Sequence, residues 1–456
     1  MCSIDLNYIT IVIFYKIFKE GLMKNLKVLS IIVFLFILFC LAGYSDAYAA
    51  ISDFSIVRSD TIFDSAVSLN PSVVKASNGD LICCFQETGD AAPGGRLRFI
   101  RSTNNGQSWS QTPYLIMTSV NGQYGSIGGY LSLAPNGNIT LAVMDVLAVG
   151  GIGNYTSDIK IYTSTDNGQT FPGPAVIVPT NANEMEPISV GIIILKNGDW
   201  ILPGYVLKAT SPYNVPCGFW RSTDGGITWG THEVVFLDPL PGETNRKFFN
   251  EVSIIQRSDN SLLAVARTDQ DDSGFAYAKG QLYYCESFDN GYTWTTPQLM
   301  GIPGHSPALI AWPDGTIMLG CRRLSDTGNW TSVYISGNGV NFQFAFNGID
   351  SRSNRTSGTG YPTFAKLTSN EIYMSYYAGD STLPWADKTY CVGNMIHYNY
   401  TFGCGSFGYL KADLDENCSV DFKDFAIVAQ SWLFSTNPEV TGHIDCSNSA
   451  DPLCEN

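Results

Sequence analysis

Along most of the chain, apolar and β-branched residues alternate with polar ones in short runs broken by Gly, Asn, Asp and Pro. Six of these runs form strand–turn–strand units. Pro71 to Phe85 turns at Asn78-Gly79-Asp80, Gly129 to Val143 at Pro135-Asn136-Gly137, and Pro187 to Tyr205 at Lys196-Asn197-Gly198-Asp199. Glu251 to Arg267 turns at Ser258-Asp259-Asn260, Pro307 to Arg322 at Pro313-Asp314-Gly315, and Tyr361 to Tyr377 at Thr368-Ser369-Asn370. Period-two alternation around a turn with left-handed-tolerant residues predicts a β-hairpin at each place.

Between the hairpins a second pattern recurs. Ser222 to Trp229 reads Ser-x-Asp-x-Gly-x-x-Trp, and Ser287 to Trp294 repeats it intact. Ser102 to Trp109 carries Asn104 at the Asp position, Ser164 to Phe171 ends in Phe, and Ser336 to Phe342 is one residue short. Asp224 is suited to accept bonds from nearby backbone N–H groups, Gly226 to take positive φ, and Trp229 to fold back as an apolar plug. Repetition at this spacing marks a repeat architecture. The motif is similar to the Asp box of the sialidase superfamily, and the resemblance covers about residues 55–400. It implies an all-β, six-bladed β-propeller over residues 51–403, each inner hairpin joined by an Asp-box hairpin as the outer pair. Residues 51–63 then supply a strand that closes the ring against the last blade near Met395 to Tyr400.

Composition agrees with a large all-β chain: 456 residues, 44 of them Gly, 13% aromatic and only 15% charged. The net charge of −15 argues against nucleic acid or an anionic membrane as partner. Residues 1–49 read as an upstream extension followed by a secretory signal peptide starting at Met23. Lys24 and Lys27 precede the apolar run Val28 to Leu41, and Ala47-Tyr48-Ala49 places cleavage after Ala49, so the chain is expected to be secreted or at the cell surface. The cysteines are scattered through strand-like runs without metal-site spacing, which predicts small buried hydrophobes.

After Gly408 the pattern changes. Asp413, Asp415, Asn417, Asp421 and Asp424 fall at positions 1, 3, 5, 9 and 12 of a calcium loop, with the Ser419 carbonyl at position 7. Phe425 to Leu433 then reads as a short amphipathic helix. Residues 409–456 resemble one repeat of a dockerin, although Cys418 stands where the turn glycine belongs. The resemblance implies a small calcium-loop helical segment that binds Ca²⁺ and attaches the chain to a cohesin-like or cell-surface partner.

The first residues of the hairpin units, Asn70, Gly129, Glu186, Glu251, His305 and Tyr361, converge on the axis of such a ring. Arg267 and the Arg322-Arg323 pair end apolar strands, where a guanidinium needs an anionic partner. The sialidase resemblance implies roles for these positions. Tyr361, preceded by Gly360, matches the nucleophile, Glu251 its base, and Asp90 the acid/base residue. Arg267 with Arg322 or Arg323 matches the substrate-carboxylate arginines. Asn70 departs from the family's Arg-Ile-Pro, and Arg96 or Arg98 could substitute from the following loop; His305 is a further funnel-lining candidate. The function implied is an exo-acting, sialidase-like glycoside hydrolase removing terminal acidic sugars from glycans or polysaccharides. The alternatives are a same-fold glycosidase for a different sugar and a non-catalytic glycan-binding propeller.

Overall fold

A computed structural model describes residues 53–399, apart from 65–66, 88–93, 120–124, 149–154, 174, 182–183, 209–215, 241, 245, 272–273, 276–279, 325–328, 351–358 and 380–388. All of these lie in a unit spanning Tyr48–Tyr400. The extension and signal peptide, Asp90, and the calcium loop with its helix lie outside the described residues.

The described residues are strands and turns arranged as a β-propeller, with no α-helix among them. The six predicted inner hairpins all close with the same turn. Its first residue donates its N–H to the carbonyl four positions on, at 2.8 Å for Ala76, Ala134, Leu195, Arg257 and Trp312 and at 2.9 Å for Leu367. Gly79, Gly137, Gly198, Asn260 and Gly315 supply a left-handed residue in the first five of these turns, and the sixth closes without one.

Four of the hairpins belong to separate antiparallel sheets of four strands. One sheet comprises Leu69–Lys75, Leu81–Gln86, Arg96–Ser102 and Leu115–Thr118; the next comprises Gly125–Leu133, Ile139–Ala148, Tyr155–Ser164 and Val176–Val178. The third comprises Ile193–Ile194, Trp200–Tyr205, Cys217–Ser222 and Glu233–Phe236. In the fourth, Gly360–Lys366, Glu371–Gly379 and Thr389–Tyr398 are joined by the first of the described strands, Phe54–Phe63. That strand runs antiparallel to Thr389–Tyr398, from Phe54 opposite Tyr398 to Phe63 opposite Cys391, and so joins the two ends of the described unit.

The remaining two hairpins depart from the expectation of six separate sheets. They share one seven-stranded sheet because Gln298–Ala311 is a single long strand. Its first half pairs with Gln281–Ser287 and its second half with Ile317–Arg323.

Each Asp box is a compact turn organised by its serine. Ser222 Oγ donates to Asp224 Oδ1 at 2.8 Å and accepts the Gly226 N–H at 2.9 Å, while Asp224 Oδ1 accepts the Thr228 N–H at 2.9 Å. Ser102, Ser164 and Ser287 accept from Gly106, Gly168 and Gly291 in the same way. Gly226 lies against Trp200 so closely that an added Cβ would sit 2.7 Å from the indole. Trp229 is buried beside Trp220, Ile161 and Leu202 between neighbouring sheets.

Hydroxyls on the inner strands tie adjacent hairpins together. Ser72, Ser189, Ser253 and Thr363 accept the N–H groups of Leu131, Val252, Leu309 and Val73, at 2.9, 3.1, 3.1 and 3.2 Å. The inner strands thus surround a channel of about 400 Å³ whose lining mixes Val, Leu, Ile and Ala with Ser, Thr and two lysines.

Candidate active site

Four inner strands slip register at the same point, near one end of the channel. The ladder breaks between Leu69 and Ser72, Asn250 and Val252, His305 and Ala308, and Gly360 and Thr363. At each break a residue other than glycine takes left-handed backbone: Asn70 (φ 49°), Glu251 (φ 46°), Ser306 (φ 51°) and Tyr361 (φ 52°). A bulge of this kind re-aims a side chain out of the alternation of its strand, and strained backbone concentrates at working sites. The partners across the last regular pair are Gln86, Arg267, Arg322 and Tyr377. One structural device therefore supplies eight side chains, and Glu251, Ser306 and Tyr361 meet in a single crevice with Tyr130 and Ser189. The wider channel beyond is mostly aliphatic, with Lys75 and Lys366 its ionisable lining residues.

Glu251 is the hub. Its Oε1 accepts the Tyr361 hydroxyl. Its Oε2 accepts Arg267 Nη1 at 2.7 Å, the Ser306 N–H at 2.8 Å and the Ser306 hydroxyl at 3.1 Å. Burial alone would raise the carboxyl's pKa, but Arg267 above all, with His305, the Tyr361 bond and Arg322, outweighs it and holds the group at about 2. Glu251 is thus a fixed, ionised acceptor.

Arg267 lies between two carboxylates. Its Nη2 donates to Asp269 at 2.9 and 3.2 Å while Nη1 holds Glu251. Burial pushes the Asp269 carboxyl above the usual range, against the pull of Arg267 and of an Asn250 amide at 2.9 Å. Arg322 donates through Nε to the Thr359 carbonyl at 2.7 Å and through Nη2 to the Tyr377 hydroxyl. Its guanidinium lies over the Tyr361 ring, 5.4 Å from the centroid, and the Tyr377 ring stacks on Tyr361 at 5.9 Å. Strand alternation sends Arg323 to the opposite face, over Phe344. Of the two arginines, Arg322 is the one at the crevice.

Other expected residues fall differently. Asn70 occupies its bulge and donates to Gln86 Oε1 at 3.4 Å. Arg96 and Arg98 both pair with Glu87. His305, expected to line the funnel, is fully buried behind it, with Nε2 3.9 Å from Asp269. The side-chain-free Gly280 makes room there, since an added Cβ would sit 2.6 Å from His305 Nε2. Ser306, Asp269 and Tyr377 were not anticipated. A signal for Ser306 existed: Asn70-Pro71, Ser306-Pro307 and Tyr361-Pro362 share a following proline, and aligning the units on it selects Ser306 over His305. Among the described residues no group of three or more His, Cys, Asp or Glu side chains is placed to hold a metal ion.

A family model for the BNR repeat-like domain matches residues 128–367. The sequence matches no curated protein. Among solved structures, a protein of unknown function from Dyadobacter fermentans superposes with a TM-score of 0.63 at 20% identity, covering 76% of this chain and 99% of that one. An α-L-arabinanase from Penicillium chrysogenum, complexed with arabinobiose, gives 0.56 at 16% identity over 76% and 99%. The intramolecular trans-sialidase of Ruminococcus gnavus, complexed with oseltamivir carboxylate, gives 0.54 at 14% over 74% and 96%. These likenesses establish a shared propeller fold, and because the family model spans more than half of the sequence, the chain belongs to the BNR repeat-like domain family.

Proposed function

We propose that the chain is an exo-acting glycoside hydrolase, sialidase-like, that removes terminal acidic sugars through a tyrosine nucleophile. The observation that carries this reading is the hydrogen bond between the Tyr361 hydroxyl and the buried, ionised Glu251 carboxylate at the end of the crevice. A phenol is a weak nucleophile at its ordinary pKa of about 10 and needs an acceptor for its proton. In the first step Tyr361 Oη bonds to the anomeric carbon as its proton passes to Glu251 Oε1. The bond to the leaving oxygen breaks, and that oxygen takes a proton from a general acid, the role we assign to Asp90. Water then cleaves the glycosyl–tyrosine bond, and the protons return. A neutral nucleophile suits a sugar whose carboxylate would repel a charged one, and sialidases are the tyrosine-using exception among glycosidases. Arg267 and Arg322 are the cations nearest this pair among the described residues, and they support an anionic substrate.

A second reading, hydrolysis of a different sugar in the same fold, draws on three observations. Asn70 offers an amide where the resemblance expects a cation, Arg267 is already held by two carboxylates, and Arg322 by a carbonyl and a phenol.

Tyr361→Phe keeps the ring against Tyr377 and Arg322 and removes only the nucleophilic oxygen. In a screen of aryl glycosides that includes a sialoside, turnover should fall by at least ~10² and the fold should persist. Full activity in Tyr361→Phe overturns the reading. We also propose that the seven-stranded sheet is two blades sharing one strand, which makes the ring six-bladed. Residues 409–456 are proposed to bind one Ca²⁺ through Asp413, Asp415, Asn417, Ser419, Asp421 and Asp424, and to serve as an anchor for a secreted chain.

A further inference from the structure

We propose that Ser306 is a positioning residue for the Tyr361–Glu251 pair, saturating one carboxylate oxygen so that the other is left to the tyrosine. The inference rests on the reading of Tyr361 as nucleophile. Glu251, Ser306 and Tyr361 come from three successive hairpin units and occupy the same bulged position in each. The first two therefore face each other across adjacent inner strands.

The bulge explains how Ser306 does this. Between His305 and Ala308 the ladder slips, so the Ser306 N–H has no place in the regular pairing. Left-handed backbone at φ 51° turns that N–H to Glu251 Oε2 at 2.8 Å, and the side chain adds its hydroxyl to the same oxygen at 3.1 Å. Arg267 supplies the third donor to that oxygen. Arg267 is shared between two acids, Nη2 bonding Asp269 while Nη1 bonds Glu251, so it sets one contact to the carboxylate and Ser306 sets two. The two donors of Ser306 belong to rigid strand backbone and to a one-carbon side chain. They fix the rotation of the carboxylate, and Oε1 is left facing Tyr361. Both Ser306 and Glu251 are buried, so water does not compete for these bonds.

Ser306→Ala removes the hydroxyl donor and keeps the N–H. Ser306→Gly does the same while relieving the left-handed backbone, and it carries the test if the alanine variant does not fold. In either variant kcat should fall about tenfold, the loss expected for one hydrogen bond to a charged group, with KM changed less than about twofold. Adding Ser306→Ala to Glu251→Gln should cost nothing further, because the hydroxyl acts only through that carboxylate. The low-field proton signal of the Tyr361–Glu251 bond, identified by its disappearance in Tyr361→Phe, should also move in Ser306→Ala. Unchanged kcat, a loss that multiplies in the double variant, or an unmoved proton signal overturns the inference. If Tyr361→Phe is inactive while Ser306→Ala matches the parent, the inference alone fails. If Tyr361→Phe is fully active, the catalytic reading fails and the positioning role falls with it.

Discussion

Replacing Glu251 with glutamine separates the chemical from the structural work of the hub. The amide has one acceptor, and its place is forced. An NH₂ group at the Oε2 position would meet Arg267 Nη1 at 2.7 Å and the Ser306 N–H at 2.8 Å, donor against donor. The carbonyl must therefore keep that side, and the NH₂ must face the Tyr361 hydroxyl. Tyrosine then has to accept rather than donate, so its proton has nowhere to go. Loss of a positioned base typically costs about 10²–10⁴ in rate, and kcat of Glu251→Gln should fall within that range.

The structural cost should be smaller. Breaking a buried pair by removing one partner costs about 3–5 kcal/mol, but Arg267 keeps Asp269 and the carbonyl still accepts, so about 1–3 kcal/mol remains. The titration of the group gives a similar figure. A carboxyl held at about 2 in the fold against its ordinary 4.5 contributes about 3 kcal/mol at neutral pH. That contribution is complete above pH 4.5 and disappears as pH falls towards 2, since only the unfolded chain takes up the proton in that window. Urea unfolding at a series of pH values should show parent and Glu251→Gln converging as the medium is acidified. A kcat within about threefold of the parent, with Tyr361→Phe inactive, would refute the claim that Glu251 handles the tyrosine proton. Curves that stay parallel into acid would refute the charge assignment.

Other outcomes follow from the fold. Trp229→Ala removes a buried Asp-box plug between sheets and should cost about 3–5 kcal/mol in urea unfolding, with kcat per folded molecule unchanged. His232, edge-on to Trp220 and 3.3 Å from the Gly204 carbonyl, is held down to about 4 by burial. The unfolded chain protonates this histidine from 6.5 downward and the fold only near 4, so stability should fall across that window, and less steeply in His232→Gln; equal slopes would exclude it. Calorimetry on the full chain should show one Ca²⁺ bound, lost when Asp413 and Asp424 are both changed to Ala; no heat at millimolar Ca²⁺ would exclude the loop as a site.

The parts legible in the sequence were those whose local chemistry decides them. Asn78-Gly79, Asn136-Gly137 and Asp314-Gly315 announce their turns because few residues tolerate left-handed backbone, and the recurring Ser-x-Asp-x-Gly pattern marks its own hydrogen bonds. The register slips were not legible, since a bulge at Ser306 or Tyr361 is stabilised by contacts from the neighbouring strands. In the fifth unit the sequence pattern therefore points to His305, one residue before the bulged Ser306. The strand Gln298–Ala311 was hidden for a different reason. Gly301, Pro303, Gly304 and Pro307 read as punctuation, yet Pro303 falls where the strand changes partners and Pro307 inside the bulge, where no ladder N–H is needed.

The same repetition explains why the site concentrates on one side of the ring. Each slipped strand presents a left-handed residue and, across its last pair, the end of the following strand. The first unit fills the two places with Asn70 and Gln86, the fourth with Glu251 and Arg267, the fifth with Ser306 and Arg322, and the sixth with Tyr361 and Tyr377. Charge thus enters only through the fourth and fifth units, and it is balanced where it enters, Arg267 against Glu251 and Asp269. An anionic sugar would have to draw Arg267 away from Asp269, and doing so costs a buried pair whose acid carries a raised pKa. Arg322 donates to a carbonyl and a phenol and lies over the Tyr361 ring. The principal role of Arg267 is accordingly to hold Glu251 ionised beside Tyr361, and Arg267→Ala should cost kcat more than it costs selectivity for an acidic over a neutral sugar.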